Sequence, residues 1–88
     1  MEMVEWLWNS HVAAVAGDNP SLEAFPMAGV SLHRHMIPLL GLPIGEMFFV
    51  ESLAEDCAAD GVYEFMLTSA PLNLLGGVGS PPNALAIK

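Results

Sequence analysis

Three residues carry the chemistry this chain could perform: His33, Glu46 and Asp18. His33 and Glu46 lie in one stretch, SLHRHMIPLLGLPIGE, thirteen positions apart. An imidazole and a carboxylate can share a proton, can ligate a divalent metal, or can close a hydrogen bond inside a core. Asp18 lies in AGDNPS, immediately after a small apolar run, and can be a ligand-facing acid or only a turn or capping residue. The remaining candidates are weaker. Cys57 has no His or Lys placed to make it a nucleophile and reads most simply as a small buried hydrophobe. His11 and His35 lack metal-triad spacing.

The elements that must position these residues follow from pattern. MVEWLW (3–8) reads as helix, with Trp6 and Trp8 as core or interface anchors. Val12–Ala16 is a short unbroken apolar run, the form of a strand covered on both faces in a parallel sheet. If so, Asp18 stands just past the carboxyl end of that strand, where open α/β sheets place ligands. Asn19 can cap and Pro20 can take a first helical position.

Ser31 caps a predicted helix over Leu32–Leu40, stopped by Gly41 and Pro43. At about 100° per residue, Leu32, Met36, Ile37, Leu39 and Leu40 share one arc that contains His33, with His35 at its edge and Arg34 outside it. Pro38 removes one helical hydrogen bond and predicts a bend or a two-turn helix. Ile44–Val50 reads as extended and carries Glu46 near its start. A capping box at Ser52–Glu55 opens a helix over Leu53–Asp60, ended by Gly61, with Leu53, Ala54, Cys57 and Ala58 as its apolar stripe. Val62–Leu72 alternates as a strand, Tyr63, Phe65 and Leu67 against Glu64, Met66 and Thr68. The loop GGVGSPP (76–82) has no following Lys or helix signal and is not a nucleotide loop, and Ala84–Ile87 is a last strand.

Composition narrows the function classes. The chain has 88 residues, 53% of them hydrophobic, with mean hydropathy +0.49. A domain this small buries only about 60–65% of its unfolded surface, so such apolar content points to burial against another chain or to a piece of a larger fold. Two basic against ten acidic residues, net charge −8, exclude phosphate neutralisation as a binding mode, so no nucleic acid and no anionic membrane is expected as partner. One cysteine excludes an intrachain disulfide and fits a reducing compartment. The N-terminus has no signal-peptide pattern, and no apolar run approaches the ~20 residues of a membrane span, so the expected localisation is cytoplasmic.

Four motifs in order, AxDxPSxE (16–23), LHR…GxPIGE (32–46), DGxYEF (60–65) and APLNLxGGxGSP (70–81), resemble the C-terminal portion of the cyclase family. This family comprises metal-dependent hydrolases that include kynurenine formamidase and isatin hydrolase. The resemblance covers nearly the whole chain. It implies an α/β fold, a partial swivelling β/α/β-type domain with about four short strands and two or three short helices. It also implies hydrolysis of an amide or lactam by metal-bound water, with zinc or manganese. By the same resemblance His33 and Glu46 are catalytic and metal-site residues, and Asp18 is a candidate for the shell around them. The family's upstream HxGTHxD ligand motif does not occur in these residues. The expectation is therefore one C-terminal partial domain over 1–88, completed by a missing N-terminal half or by homo-oligomerisation. The alternative is a non-catalytic remnant or interaction module that self-associates through exposed strand edges.

Overall fold

A computed structural model describes residues 2–26 and 29–88. It contains three helices and four short strands in two small sheets, a small α/β architecture. The chain divides into two compact units, 1–50 and 51–88, each described by itself below.

In the first unit α1 (Glu2–Asn9) turns Val4 and Leu7, three residues apart, into the core. The helical rotation that buries those two leaves Trp6 and Trp8 exposed, so the tryptophans are not core anchors within this unit. The helix ends where His11 takes φ 56°. β1 (Val15–Ala16) and β2 (Ile44–Gly45) pair in parallel, Val15 opposite Ile44 and Ala16 opposite Gly45. The expected parallel strand is present but short. Val15 is half-buried and Ala16 exposed, because a two-stranded sheet has no second layer on its other face.

α2 (Leu32–Leu40) has the expected bounds. Gly41 ends it at φ 65°, its N–H donating to the Ile37 carbonyl at 3.1 Å, the αL stop that glycine permits without a Cβ clash. Met36 is fully buried and packs with Val4, Leu7 and Leu42. Leu32 and Leu40, one turn to either side of Met36, lean on that cluster. Ile37 and Leu39 are exposed, so the apolar arc that meets the core is narrower than the wheel suggests. No helix forms at Pro20. The 19–23 segment instead spends its backbone groups on two tertiary bonds, the Asn19 carbonyl accepting from Met47 N–H and Leu22 N–H donating to Glu46 Oε1, and on a local turn in which Glu23 N–H donates to Ser21 Oγ.

In the second unit α3 (Glu51–Asp60) starts one residue before Ser52, which places that serine inside the helix and not at its cap. Cys57 is its buried residue, as expected of a small hydrophobe, but a lysine does reach it, Lys88 Nζ lying 3.7 Å from its Sγ; Ala54 and Ala58 are exposed. β3 (Met66–Thr68) pairs antiparallel with β4 (Leu85–Ile87), Met66 opposite Ile87 and Thr68 opposite Leu85. The strand expected over 62–72 covers only Met66–Thr68: past Thr68 its partner leaves the extended conformation at Asn83, φ 46°, and Pro82 and Pro81 beyond it have no N–H to resume the ladder. Ala70 N–H to the Pro82 carbonyl, 2.8 Å, is the last bond of that edge. Lys88 anchors the ribbon to α3, its ammonium 2.8 Å from Asp56 Oδ2 and 2.9 Å from Asp60 Oδ1. Among the described residues no helix is long and apolar enough to cross a membrane.

Candidate functional site

Each of the first unit's functional side chains is placed by backbone first. Glu46 directly follows β2, whose ladder continues on both sides: Val15 N–H donates to the Pro43 carbonyl and Gly17 N–H to the Gly45 carbonyl, each at 3.2 Å. Gly45 itself is tightly covered. A Cβ there would lie inside contact distance of the Phe48 ring and 3.0 Å from Ala16 Cβ. After Glu46 the chain turns at Met47, φ 56°, and Phe48 N–H returns to the Gly17 carbonyl at 2.9 Å.

His33 is the second residue of α2. Helix N-termini leave backbone N–H groups without intrahelical partners, and each needs an acceptor. Ser31 Oγ accepts from Arg34 N–H at 3.3 Å, the N-cap bond read from sequence. The His33 N–H is satisfied from outside the helix by Glu23 Oε1 at 2.8 Å. That same oxygen accepts from Ser31 Oγ at 2.8 Å and lies 2.9 Å from His33 Nδ1. With 7% of its side chain exposed, Glu23 is the one buried charged residue among those described. The His33 backbone N–H, then the Ser31 hydroxyl, hold its carboxyl down to about 2 against the opposing effect of burial, with the His33 ring adding to the same end.

The other ring nitrogen of His33, Nε2, lies 3.2 Å from Glu46 Oε1. Glu46 Oε1 is fixed in turn by Leu22 N–H at 2.7 Å. The imidazole is thus strung between two carboxylates, with 37% of its side chain exposed. Both nitrogens can donate at once only in the imidazolium; with one proton on Nδ1, Nε2 presents a lone pair toward Glu46. Chemically, such an arrangement can exchange a proton between Nε2 and the Glu46 carboxylate.

The structure brings His33 and Glu46 together and leaves Asp18 apart. Asp18 is exposed in the bend after β1 and makes no bond to His33, Glu23 or Glu46. The residue that sequence reasoning passed over is Glu23. It stands at the last position of the AxDxPSxE motif, so the signal was present, but nothing local told that its partner lies ten residues downstream. His35 turns its Nδ1 to the Ser31 carbonyl, 2.7 Å away, and His11 is exposed.

A resident metal does not fit this donor set. A catalytic zinc takes three protein ligands converging on one point. Among the described residues no group of three or more His, Cys, Asp or Glu side chains does so. Of the three side chains that meet, one histidine nitrogen and one carboxylate face each other, and Glu23 is turned to the far nitrogen.

No family model matches the chain, and no curated protein does. Among solved structures, a crystal structure of a novel cyclase is 44% identical to this chain, with a TM-score of 0.89. The match covers 100% of this chain and 29% of that one. The likeness supports a partial cyclase-family domain. Its span is informative, since the first unit with His33 and Glu46 and the second unit with its ribbon both fall within the matched length.

Proposed function

We propose that this chain is the C-terminal part of a cyclase-family hydrolase acting on the C–N bond of an amide or lactam, of the kynurenine formamidase or isatin hydrolase kind. The observation that carries the reading is the facing of His33 Nε2 and Glu46 Oε1 across 3.2 Å. A proton held between them can be taken from an attacking water or given to a leaving amine, work worth roughly 10²–10⁴-fold when well placed. The zinc or manganese ion that the resemblance implies needs further donors from outside these 88 residues. Partly exposed on the surface of this unit, the pair is open to such a completing segment.

The test compares this chain with a polypeptide extended to the length of its crystallographic neighbour, assayed on an N-formyl aromatic amine and on an aromatic lactam. The extended form hydrolyses one of them and carries stoichiometric zinc or manganese. His33→Ala and Glu46→Gln each lower its kcat by about 10²-fold or more. An extended form whose activity survives both substitutions overturns the proposal.

A second reading is favoured by the ribbon: every residue of β3 and β4 is exposed, among them Met66, Leu67, Leu85 and Ile87. A lone two-stranded ribbon is marginal in water, and apolar strands open on both faces recruit other strands. On this reading the chain is an interaction module that self-associates. Light scattering at micromolar concentration then gives a dimer or larger species, and a stable monomer rules it out.

A further inference from the structure

The His33–Glu46 pair is held together from a third place. Leu22 and Glu23 are adjacent in the chain, and each grips one member of the pair: Leu22 N–H binds Glu46 Oε1 at 2.7 Å, and Glu23 Oε1 binds His33. The hold on His33 is two-pronged. One oxygen takes its backbone N–H at 2.8 Å and lies 2.9 Å from its ring Nδ1, so main chain and ring are tied to a single point. A ring anchored by its own backbone in this way cannot flip Nδ1 and Nε2 without breaking the second bond. Because Nδ1 is engaged, Nε2 is the ring nitrogen that reaches Glu46. Glu23 is in turn rigid, since Ser31 Oγ donates to the same oxygen at 2.8 Å and little of the side chain is exposed.

We propose that Leu22–Glu23 is a clamp, with Glu23 as the positioning residue that keeps a proton on His33 Nδ1 and turns Nε2 to Glu46. Such outer partners of a working histidine typically matter 10–100-fold in affinity or activity. The kinetic consequence rests on the hydrolase reading above; the ring geometry does not.

The test reads the ring directly, by long-range ¹H–¹⁵N NMR of the full 88-residue chain at one neutral pH. In the native chain His33 Nδ1 carries a hydrogen-bonded proton. Glu23→Gln keeps an acceptor oxygen and keeps that signal. Glu23→Ala loses it, because Glu46 is then the only carboxylate left to claim the ring proton, at Nε2. Ser31→Ala removes the helix cap and one donor to Glu23, lowering stability while leaving the ring signal in place. If Glu23→Ala does not fold, Glu23→Asp, one methylene short of both prongs, takes its place. Ring signals unchanged in Glu23→Ala or Glu23→Asp overturn the proposal, as does a Ser31→Ala spectrum altered as much as theirs. In the extended polypeptide, Glu23→Ala lowers kcat about 10–100-fold at similar KM, and Glu23→Gln restores most of it. An extended form with no hydrolytic activity refutes the hydrolase reading and leaves the ring measurement to decide the clamp.

Discussion

Replacing Glu23 by glutamine removes a charge while leaving an oxygen where three donors converge, which makes its effect readable as a function of pH. In the native chain the Glu23 carboxyl is held from an ordinary 4.5 down to about 2, first by the His33 N–H and then by the Ser31 hydroxyl. The sign follows from proton counting. Between these values the unfolded chain binds a proton at this position that the folded chain does not, so stability rises with pH across the window. The contribution is fully present above about pH 4.5 and is lost as pH falls through about 2. Near pH 3.3 the unfolded carboxyl is about nine-tenths protonated and the folded one about one-twentieth, so unfolding takes up about 0.9 proton at this site. Urea titrations followed by far-ultraviolet circular dichroism, in steps from pH 2 to pH 6, measure it. Other carboxyls titrate in the same range, so the difference between native and Glu23→Gln is the quantity to plot. The logarithm of the ratio of their unfolding constants changes by nearly one per pH unit around pH 3.3 and is flat above pH 5.5. Parallel curves through pH 2–4.5 refute the assignment of these bonds to Glu23.

Two further outcomes follow from the packing and the second unit. Met36 is 0% exposed at the centre of the first unit's core, so Met36→Ala costs about 2–5 kcal/mol while Met36→Leu costs under about 1.5 kcal/mol, both read from urea midpoints at constant m-value. Lys88→Met removes the cation that Asp56 and Asp60 hold; amide exchange at Leu85–Ile87 accelerates while that of α2 is unchanged.

What could be read in the sequence was local. Ser31, the 3.6-residue period and Gly41 bounded α2 to the residue, because a cap, an apolar stripe and an αL stop are each properties of neighbours in the chain. The order of helices and strands was legible for the same reason. Strand lengths were not. Val62–Leu72 alternates along its length, but a ladder is only as long as its partner, and that partner breaks at Asn83, φ 46°. Of the two roles size suggests for Trp6 and Trp8, core or interface anchor, the core role does not hold in this unit; which face of α1 is buried was decided by α2 across from it, and it chose Val4 and Leu7. Glu23 was missed because capping is usually sought at the helix itself, and this acceptor comes from eight residues upstream of the cap.

The thirteen-residue spacing of His33 and Glu46 has a topological cause. Glu46 does not reach His33 by lying at the far end of α2, since nine helical residues at 1.5 Å each carry the chain about 13 Å away. It reaches His33 because β2 runs parallel to β1, Val15 opposite Ile44, and so returns the chain to the end of the sheet from which α2 departed. The carboxyl end of β2 and the amino end of α2 therefore meet. Glu46 is the first residue past the one, and His33 is the second residue of the other. A helix amino end carries partial positive charge, which favours the two carboxylates gathered there. Shifting the β1–β2 register by a single residue displaces Glu46 by about 3.3 Å, more than its 3.2 Å separation from the ring. Ala16 opposes that slip, since its Cβ lies only 3.0 Å from where a Cβ on Gly45 would stand and either neighbour brought opposite it carries one.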